Sequence, residues 1–338
     1  MAKRSQSPSL SARWRTKLED HVIALAWSPD GASLAAASID GPIAVYDASS
    51  GNVASTLAGH GFGTTALAWQ PAGKRIASCG QDGKARIWEA GRELAVLDAG
   101  TAWVELVAWN PKGTLLLTAA GKKLRLWSSD GELLQTYPDQ PSTIAAIEWG
   151  IKGRDFVTAG YGGITFWKPD AAQPVNQFAW KGSVIALAWS PDGKCIAGGA
   201  QDASVHFWYV KTGKDLEMSG YPLKVRELAW DATSTYLATG AGERVVVWNC
   251  SGKGPAGSAP LDFDLHERLL GSLSFQHRGP LLASGCEGGL CALWLPGASK
   301  KPVGQMQIDD GISVLSWSPG DCQLALGGAE GFVGIWSV

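Results

Sequence analysis

The decapeptide VIALAWSPDG occurs twice without change, at residues 22–31 and at residues 184–193. It alternates small and large apolar residues, reaches a Trp and then enters a Ser-Pro-Asp-Gly turn. Looser copies lie between and after these two. The eight copies are anchored on Trp27, Trp69, Trp109, Trp149, Trp189, Trp230, Phe275 and Trp317. A second aromatic residue follows each anchor, at Tyr46, Trp88, Trp127, Trp167, Trp208, Trp248, Trp294 and Trp336.

The spacing of the anchors indicates a repeat protein. Successive anchors are separated by between 40 residues, as from 69 to 109, and 45 residues, as from 230 to 275. Self-similarity at such a period means that one supersecondary unit is used repeatedly. Each copy holds about four short apolar segments separated by turn residues, and segments of this length are typical of strands. The sequence therefore predicts an all-β fold built from repeated antiparallel units.

The chain resembles the WD40 repeat family over residues 12–338. The second copy carries the resemblance best, with AGH at 58–60, AWQPAG at 68–73, IASCGQDG at 76–83 and ARIWE at 85–89. The resemblance implies a β-propeller whose blades are four-stranded sheets. It also implies a buried hydrogen-bond network that joins a His, a hydroxyl residue, an Asp and a Trp. His60, Ser78, Asp82 and Trp88 fill those four positions in the second copy.

From these observations we predict an eight-bladed β-propeller of four-stranded antiparallel blades. The last copy ends shortly after Trp336 and lacks an outer strand, whereas residues 13–19 alternate as a strand does. We expect this N-terminal strand to complete the last blade, because that removes an open sheet edge. Residues 12–338 then form a single propeller domain, and residues 1–11 are predicted to be a flexible tail.

Composition limits the classes of partner and of compartment. The net charge is −2, which provides no basic field for nucleic acid. No apolar run is long enough to cross a bilayer, and the N-terminus lacks the apolar core of a secretion signal. The six cysteines show no disulfide framework, which suits a reducing cytoplasm. We expect a cytoplasmic protein without a cofactor, monomeric outside its complex, that binds neither nucleic acid nor membrane.

The main functional prediction is a non-enzymatic scaffold that binds proteins or peptides. No spacing of His, Ser, Cys or carboxylate residues resembles a catalytic set. WD40-like propellers present a rim made of the loops before each inner strand and the turns between the second and third strands. On that rim the sequence places the candidate partner-binding residues Phe62, Trp103, Glu105, Tyr161, Trp180, Tyr221 and Arg226. Trp103 and Trp180 fall outside the repeat pattern, so they are free either to bind a partner or to fold back over their own repeat.

Two alternatives come from other functional classes. Cys286, Cys291 and His266 have the chemistry to hold a soft metal ion, although CxxxxC is looser than the usual spacing and buried cysteines often act as small apolar residues. Glu105 and Arg226 occupy equivalent positions three copies apart and are charged groups of the central channel, where a hydrolytic propeller would place its site. Solvated channel ions are the simpler interpretation of that pair.

Overall fold

The computed structural model describes residues 10–100, 103–252 and 254–338, and within these ranges every regular element is a β-strand. The first fifteen are β1 (Ser11–Lys17), β2 (Val22–Trp27), β3 (Ser33–Ser38), β4 (Ile43–Asp47), β5 (Val53–Leu57), β6 (Thr64–Trp69), β7 (Arg75–Gly80), β8 (Lys84–Glu89), β9 (Arg92–Asp98), β10 (Val104–Trp109), β11 (Leu115–Ala120), β12 (Lys123–Ser128), β13 (Leu133–Thr136), β14 (Ala146–Trp149) and β15 (Phe156–Trp167). The predicted tail over residues 1–11 lies mostly outside the described residues, and β1 begins at Ser11.

The remaining strands continue the same order. They are β16 (Asn176–Trp189), β17 (Cys195–Ala200), β18 (Val205–Tyr209), β19 (Asp215–Met218), β20 (Glu227–Trp230), β21 (Tyr236–Ala241), β22 (Arg244–Asn249), β23 (Leu261–Phe263), β24 (Leu270–Phe275), β25 (Leu282–Cys286), β26 (Leu290–Trp294), β27 (Gly304–Gln307), β28 (Ile312–Trp317), β29 (Gln323–Gly328) and β30 (Phe332–Ser337). No helix of the described ranges has the length and apolar character needed to span a membrane.

A typical repeat is an antiparallel meander whose middle strands are buried. In the second copy the order is β6-β7-β8-β9, and all but the first residue of β7 is buried. Buried on both faces, such a strand is nearly continuous in small and apolar residues. The turn from β7 to β8 ends at Gly83, whose φ of 74° favours a residue without a side chain. The outer strand β9 is mostly exposed, so the core lies between neighbouring repeats.

The prediction of eight four-stranded blades is wrong in its count. The described residues form seven hydrogen-bonded sheets, six of four strands and one of six, β14-β15-β16-β17-β18-β19, so by sheets the propeller has seven blades. The fourth and fifth copies share the large sheet because β16 pairs with β15 through its first part and with β17 through its second. The strand β15 pairs with β14 through its first part and with β16 through its second, on either side of Gly162, where φ is 101°. Each of the two copies keeps its own inner strand. The repeat pattern marks copies, but it does not show where the ladder of hydrogen bonds breaks.

The N-terminal strand closes the ring, as the sequence predicts. β1 pairs antiparallel with β30, from Ser11 opposite Ser337 to Lys17 opposite Phe332. It thus becomes the outer strand of the sheet β1-β30-β29-β28. The free edge of the last copy is covered by the other end of the chain, and this removes a template for aggregation.

Anchor indoles tie each repeat to the one before it. In five copies the indole N–H of the anchor donates to the backbone carbonyl of the residue that precedes the previous anchor. These bonds are Trp27 to Ser316 at 3.1 Å, Trp109 to Ala68 at 3.3 Å, Trp149 to Ala108 at 3.0 Å, Trp230 to Ala188 at 3.1 Å and Trp317 to Ser274 at 3.0 Å. The bond from Trp27 joins the first copy to the last. We call this recurrent bond the indole clasp.

Three anchors lack the clasp. The indole nitrogens of Trp69 and Trp189 are buried without a hydrogen-bond partner among the residues that the structure describes. The anchor Phe275 has no N–H to donate. A buried polar group without a partner costs free energy. Backbone hydrogen bonds join these copies to the preceding ones instead: the Thr64 N–H donates to the Ile39 carbonyl, the Leu270 N–H donates to the Gly242 carbonyl, and β15 pairs with β16.

We expect Trp109→Phe to destabilise the protein more than Trp69→Phe. Both substitutions remove the same atoms, but only the first breaks a clasp and leaves the Ala68 carbonyl without the indole donor. The free energy of unfolding should fall by about 1 kcal/mol more in Trp109→Phe. Urea unfolding followed by circular dichroism measures the difference, and equal losses in the two variants would contradict the clasp.

Candidate binding face

One face of the ring carries the loops before the inner strands and the turns between the second and third strands of each copy. We call it the upper rim. Among the described residues, six large apolar side chains are exposed on it, with exposed fractions between 41% and 88%. They are Ile39, Phe62, Trp103, Tyr161, Leu223 and Leu269. Phe62, Trp103 and Tyr161 are sequence-predicted rim residues. Ile39 and Leu223 were missed because each stands singly between polar or turn residues, and Leu269 was missed because it directly precedes the apolar strand β24.

Phe62 is held outward by an unusual backbone conformation. It lies in the turn His60–Gly63, which is closed by a hydrogen bond from the Gly63 N–H to the His60 carbonyl. Its φ is 67°, a left-handed value that bulky residues rarely adopt. The side chain is 88% exposed, so no packing compensates for the strain. A strained, exposed aromatic residue points to a function outside the fold.

Trp180, predicted to lie on the rim, instead packs over the fifth copy. Its ring lies 3.6 Å from that of His206, measured between centroids, and His206 also stacks on Trp208 at 5.5 Å. His206 is fully buried, and burial lowers its pKa below the ordinary value. Among the described residues no hydrogen-bond partner reaches either ring nitrogen of His206 or the Trp180 indole nitrogen. Stacked rings therefore stabilise this part of the fifth copy.

Tyr221 also serves the fold. Its hydroxyl accepts a hydrogen bond from the Trp248 indole at 2.8 Å and lies 2.7 Å from the Thr239 hydroxyl. Burial raises the pKa of Tyr221, so the phenol stays protonated and able to donate to Thr239. Tyr221 thus bridges the second and third strands of the sixth copy and is not a free rim residue.

The four network residues of the second copy lie together. The Ser78 hydroxyl accepts from the Trp88 indole at 2.8 Å and contacts His60 Nε2 at 2.8 Å, while His60 Nδ1 lies 3.0 Å from Asp82. Arg86 donates to the other Asp82 oxygen at 2.8 Å. Burial alone would raise the pKa of Asp82, but the bonds from Arg86 and His60 hold it below its ordinary value. The carboxylate is therefore ionised and fixes the proton of neutral His60 on Nδ1.

The seventh copy repeats this network without the carboxylate. His266 Nε2 lies 2.7 Å from the Ser284 hydroxyl, which also accepts from the Trp294 indole at 2.8 Å. Gly288 stands where Asp82 stands in the second copy, and His266 Nδ1 has no partner among the described residues. Burial lowers the pKa of His266 to about 4. The imidazole is therefore neutral at physiological pH, with a buried donor left unpaired.

A single spacing explains these assignments. The residue nine positions before the anchor is His60 before Trp69, Trp180 before Trp189, Tyr221 before Trp230 and His266 before Phe275. In the second, sixth and seventh copies its side chain forms a hydrogen bond with the Ser or Thr hydroxyl of the second strand. In the fifth copy the ring of Trp180 packs on His206 instead. The sequence contained this signal. Counting back from each anchor would have assigned Trp180, Tyr221 and His266 to the fold.

The central channel holds charged groups at its mouth and in its inner strands. Glu105 is exposed at a β-bulge of β10, and Arg226 is exposed just before β20. Deeper in the inner strands, burial raises the pKa of both Glu148 and Glu227 to about 7, and for Glu227 the charge of Arg226 partly offsets this effect. The channel is therefore lined by carboxyl groups that titrate near neutrality.

The alternative metal site does not form. Within the described residues no group of three or more His, Cys, Asp and Glu side chains is placed to hold a metal ion. His266 uses Nε2 on Ser284, and burial raises the pKa of Cys291 to about 12, which keeps its thiol protonated. Cys286 is a buried free thiol on the inner side of the same hairpin. These residues belong to the core of the seventh copy.

A depression of about 420 Å³ opens on the upper rim between the sixth and seventh copies. Leu223 and Leu269 form its apolar wall, and Lys224, Arg226 and Glu287 add charged groups. Two of the exposed apolar residues of the rim therefore flank a concave surface that also bears two cations.

Gly288→Asp should restore the missing network carboxylate. The φ of Gly288 is outside the left-handed region, and a β-carbon there would meet only the side chain of Arg268, 3.1 Å away, and the thiol of Cys286. A carboxylate beside His266 raises the pKa of that imidazole from about 4. In the present protein the pKa of His266 is about 4 in the folded state and 6.5 in the unfolded state. The protein therefore keeps its full stability above pH 6.5 and loses stability as the pH falls from 6.5 towards 4, because the unfolded chain takes up the proton first.

The variant is therefore expected to lose less stability between pH 7 and pH 5, as measured by thermal unfolding and by the NMR titration of the His266 ring. Asp82→Gly is the reciprocal control, because it converts the second copy to the arrangement of the seventh. This control variant should lose more stability between pH 7 and pH 5 than the parent protein does. An unchanged His266 pKa in Gly288→Asp would contradict the assignment.

Comparison with known proteins agrees with this geometry. The model of the IFT122 first beta-propeller matches residues 21–253. Two curated relatives come from Arabidopsis thaliana: the WD repeat-containing protein VIP3 is 26% identical over 63% of this chain and 61% of its own length, and THO complex subunit 3 is 25% identical over 56% of this chain and 62% of its own. The B-type cell cycle switch protein ccs52B of Medicago truncatula is 31% identical over 32% of this chain and 24% of its own length.

A solved structure supports the fold over the whole chain. The crystal structure of the computationally designed Ika8 protein superposes with a TM-score of 0.82 and covers 99% of this chain and 100% of its own, at 20% identity. At that identity the likeness concerns the fold alone. The chain spans less than two thirds of the length of the curated relatives described above. Because the family model covers most of the chain, this protein belongs to the WD-repeat β-propeller family that the model of the IFT122 first beta-propeller describes.

Proposed function

We propose that the protein is a non-enzymatic scaffold that binds a protein or peptide partner across its upper rim. The observation that carries this proposal is the set of six exposed apolar side chains gathered on one face of the ring. Exposed aromatic residues supply much of the energy of protein interfaces. Contiguous exposed apolar surface on a soluble protein is typical of an interaction site.

The first three copies provide the strongest part of this surface. Ile39, Phe62 and Trp103 come from consecutive copies, and the Thr64 N–H bonds to the Ile39 carbonyl, which joins the turn of the first copy to the loop of the second. A rigid backbone presents these side chains, so little conformational entropy is lost when a partner binds. An extended partner segment with apolar residues fits this arrangement.

The family supports the proposal. One relative is, by its name, a subunit of the THO complex, and another is a cell cycle switch protein. Propellers of this family offer binding loops on a rigid ring and differ from one another in those loops. We expect the rim residues of this chain to determine which partner it binds.

The proposal includes a cytoplasmic location and a monomer outside the complex, as predicted from the sequence. All six cysteines are free, and Cys79, Cys286 and Cys291 are buried. Thiols without disulfides suit a reducing compartment.

The double variant Phe62→Gly/Trp103→Ala tests the proposal. Gly adopts a φ of 67° without strain, and both side chains are exposed, so the unfolding temperature should stay the same or rise slightly. Partner capture from a cell extract, measured by quantitative mass spectrometry, should fall at least tenfold. Val96→Ala is the control, because it removes an exposed apolar residue of β9 that is off the rim. If capture by the double variant equals that of the control, the rim is not the binding surface.

A further inference from the structure

The interface between the first and second copies contains a large cavity on the face opposite the upper rim. It is open to solvent and has a volume of about 780 Å³, which is typical of ligand sites. Its walls come from the turns that connect β2 to β3, β6 to β7 and β8 to β9, which lie at the other ends of the strands from the rim loops. Val45, Leu57, Trp69, Ile76 and Trp88 form the apolar part of the lining.

At two other interfaces the chain fills the corresponding space with its own aromatic side chain. Trp14, opposite Ile335 in the outer strand of the last copy, packs on Tyr46 at 5.4 Å between centroids and lies under the turn glycine Gly51. Its indole donates to the Ala48 carbonyl at 2.9 Å. Phe178, which lies opposite Ile164 and so further along its outer strand than the position that Trp14 occupies, also reaches the turn glycine of the next copy, with its ring edge 3.1 Å from where a β-carbon of Gly213 would stand.

The first copy has Ser55 at this place. Ser55 lies opposite Val45, as Trp14 lies opposite Ile335, and its Cβ is 3.2 Å from where a β-carbon of Gly91 would stand. The turn glycine is thus present, but the aromatic ring beneath it is missing. The small side chain leaves the cavity open.

The same interface lacks its indole clasp. The Trp69 indole nitrogen is buried with no hydrogen-bond partner among the described residues, whereas Trp27 makes the clasp at the interface that Trp14 fills. The unpaired indole donor of Trp69 therefore lies in the wall of the cavity, although Trp189 lacks its clasp in the same way at the interface that Phe178 fills.

The charged groups around the cavity indicate the charge of the ligand that it binds. The lining includes the carboxylates of Asp30 and Glu89 and the ammonium of Lys74. Arg75 lies 3.5 Å from Glu89, but it is shared with Asp130 at 2.8 Å. Carboxylates therefore outnumber cations by one around the opening, which favours a positively charged ligand.

We propose that this cavity binds an aromatic side chain carried by a positively charged peptide segment, in the manner in which Trp14 and Phe178 occupy the equivalent spaces within the chain. The site is separate from the upper rim and is open to a second partner or to a second segment of the same partner.

Calorimetric titration with three capped tripeptides tests the proposal. Lys-Trp-Lys should bind, Glu-Trp-Glu should bind at least threefold more weakly, and Lys-Ala-Lys should give no measurable heat. No binding of Lys-Trp-Lys at millimolar concentration, or equal binding of Lys-Ala-Lys, would overturn the proposal. Equal binding of the two Trp peptides would overturn the assigned charge preference.

A filled cavity provides the matching variant. Ser55→Trp places an indole where Trp14 has one, so the unfolding temperature should rise by a few degrees and the affinity for Lys-Trp-Lys should fall at least tenfold. Val53→Trp, on an exposed position of the same strand, is the control and should bind as the parent does. If Ser55→Trp does not fold, Ser55→Phe applies the same test with the ring of Phe178. Unchanged affinity in the folded variant would overturn the site.

Binding of Lys-Trp-Lys to the cavity should not depend on the upper rim. The variant Phe62→Gly/Trp103→Ala should bind Lys-Trp-Lys as the parent protein does, since neither residue lines the cavity. Loss of peptide binding in that variant would place the peptide on the rim and overturn the proposal.

Discussion

The hydrogen bond from an anchor indole to the backbone of the preceding repeat is the constraint on which the ring depends. Apart from the shared sheet of the fourth and fifth copies, no strand ladder joins one repeat to the next within the described residues. Side-chain packing is not directional, but the indole clasp has a fixed length and angle. At the five interfaces that have it, the clasp therefore sets how one repeat stands on its neighbour. The clasp from Trp27 to Ser316, with β1 paired to β30, extends this constraint across the ends of the chain.

Departures from the repeat have two different meanings. Where the position nine residues before the anchor changes from His to Tyr221 or Trp180, the new side chain still serves the interior, by a hydrogen bond in one case and by ring stacking in the other. Where Trp69 lacks its clasp and Ser55 replaces an aromatic residue, the interior is left incomplete and a cavity results. A changed residue that still contacts the interior preserves the packing of its copy. A changed residue that leaves the interior unfilled creates a surface on which a ligand can bind.

Much of the fold could be predicted from the sequence, because anchor Trp residues and turn glycines are local signals with a fixed period. The closing strand followed from the missing outer strand of the last copy. The number of sheets did not follow, because the continuity of β16 depends on backbone pairing that no side-chain pattern marks. Of the predicted rim residues, Phe62, Trp103 and Tyr161 are exposed, and their binding of a partner stays a prediction. Trp180 folds back over its own copy, one of the two possibilities that the sequence left open, and Tyr221 bonds inward; their contacts, His206 and Trp248, lie on other strands.

The cavity between the first two copies could not be predicted from the sequence, since it depends on the size of Ser55 relative to Trp14, which holds the equivalent position in the last copy. No sequence motif marks a missing side chain of this kind. The missing ring is recognised only when the equivalent positions of different copies are compared in the structure.

Native-state hydrogen exchange of the amides of β1 and β30 tests the closed ring most directly. If the chain ends are joined as described, amides such as those of Arg15 and Val333 exchange as slowly as those of the central strands β3 and β7, because opening them requires the ring to open. Exchange of β1 within seconds, while β3 and β7 stay protected, would show that the ring is not closed by this strand and would contradict the account.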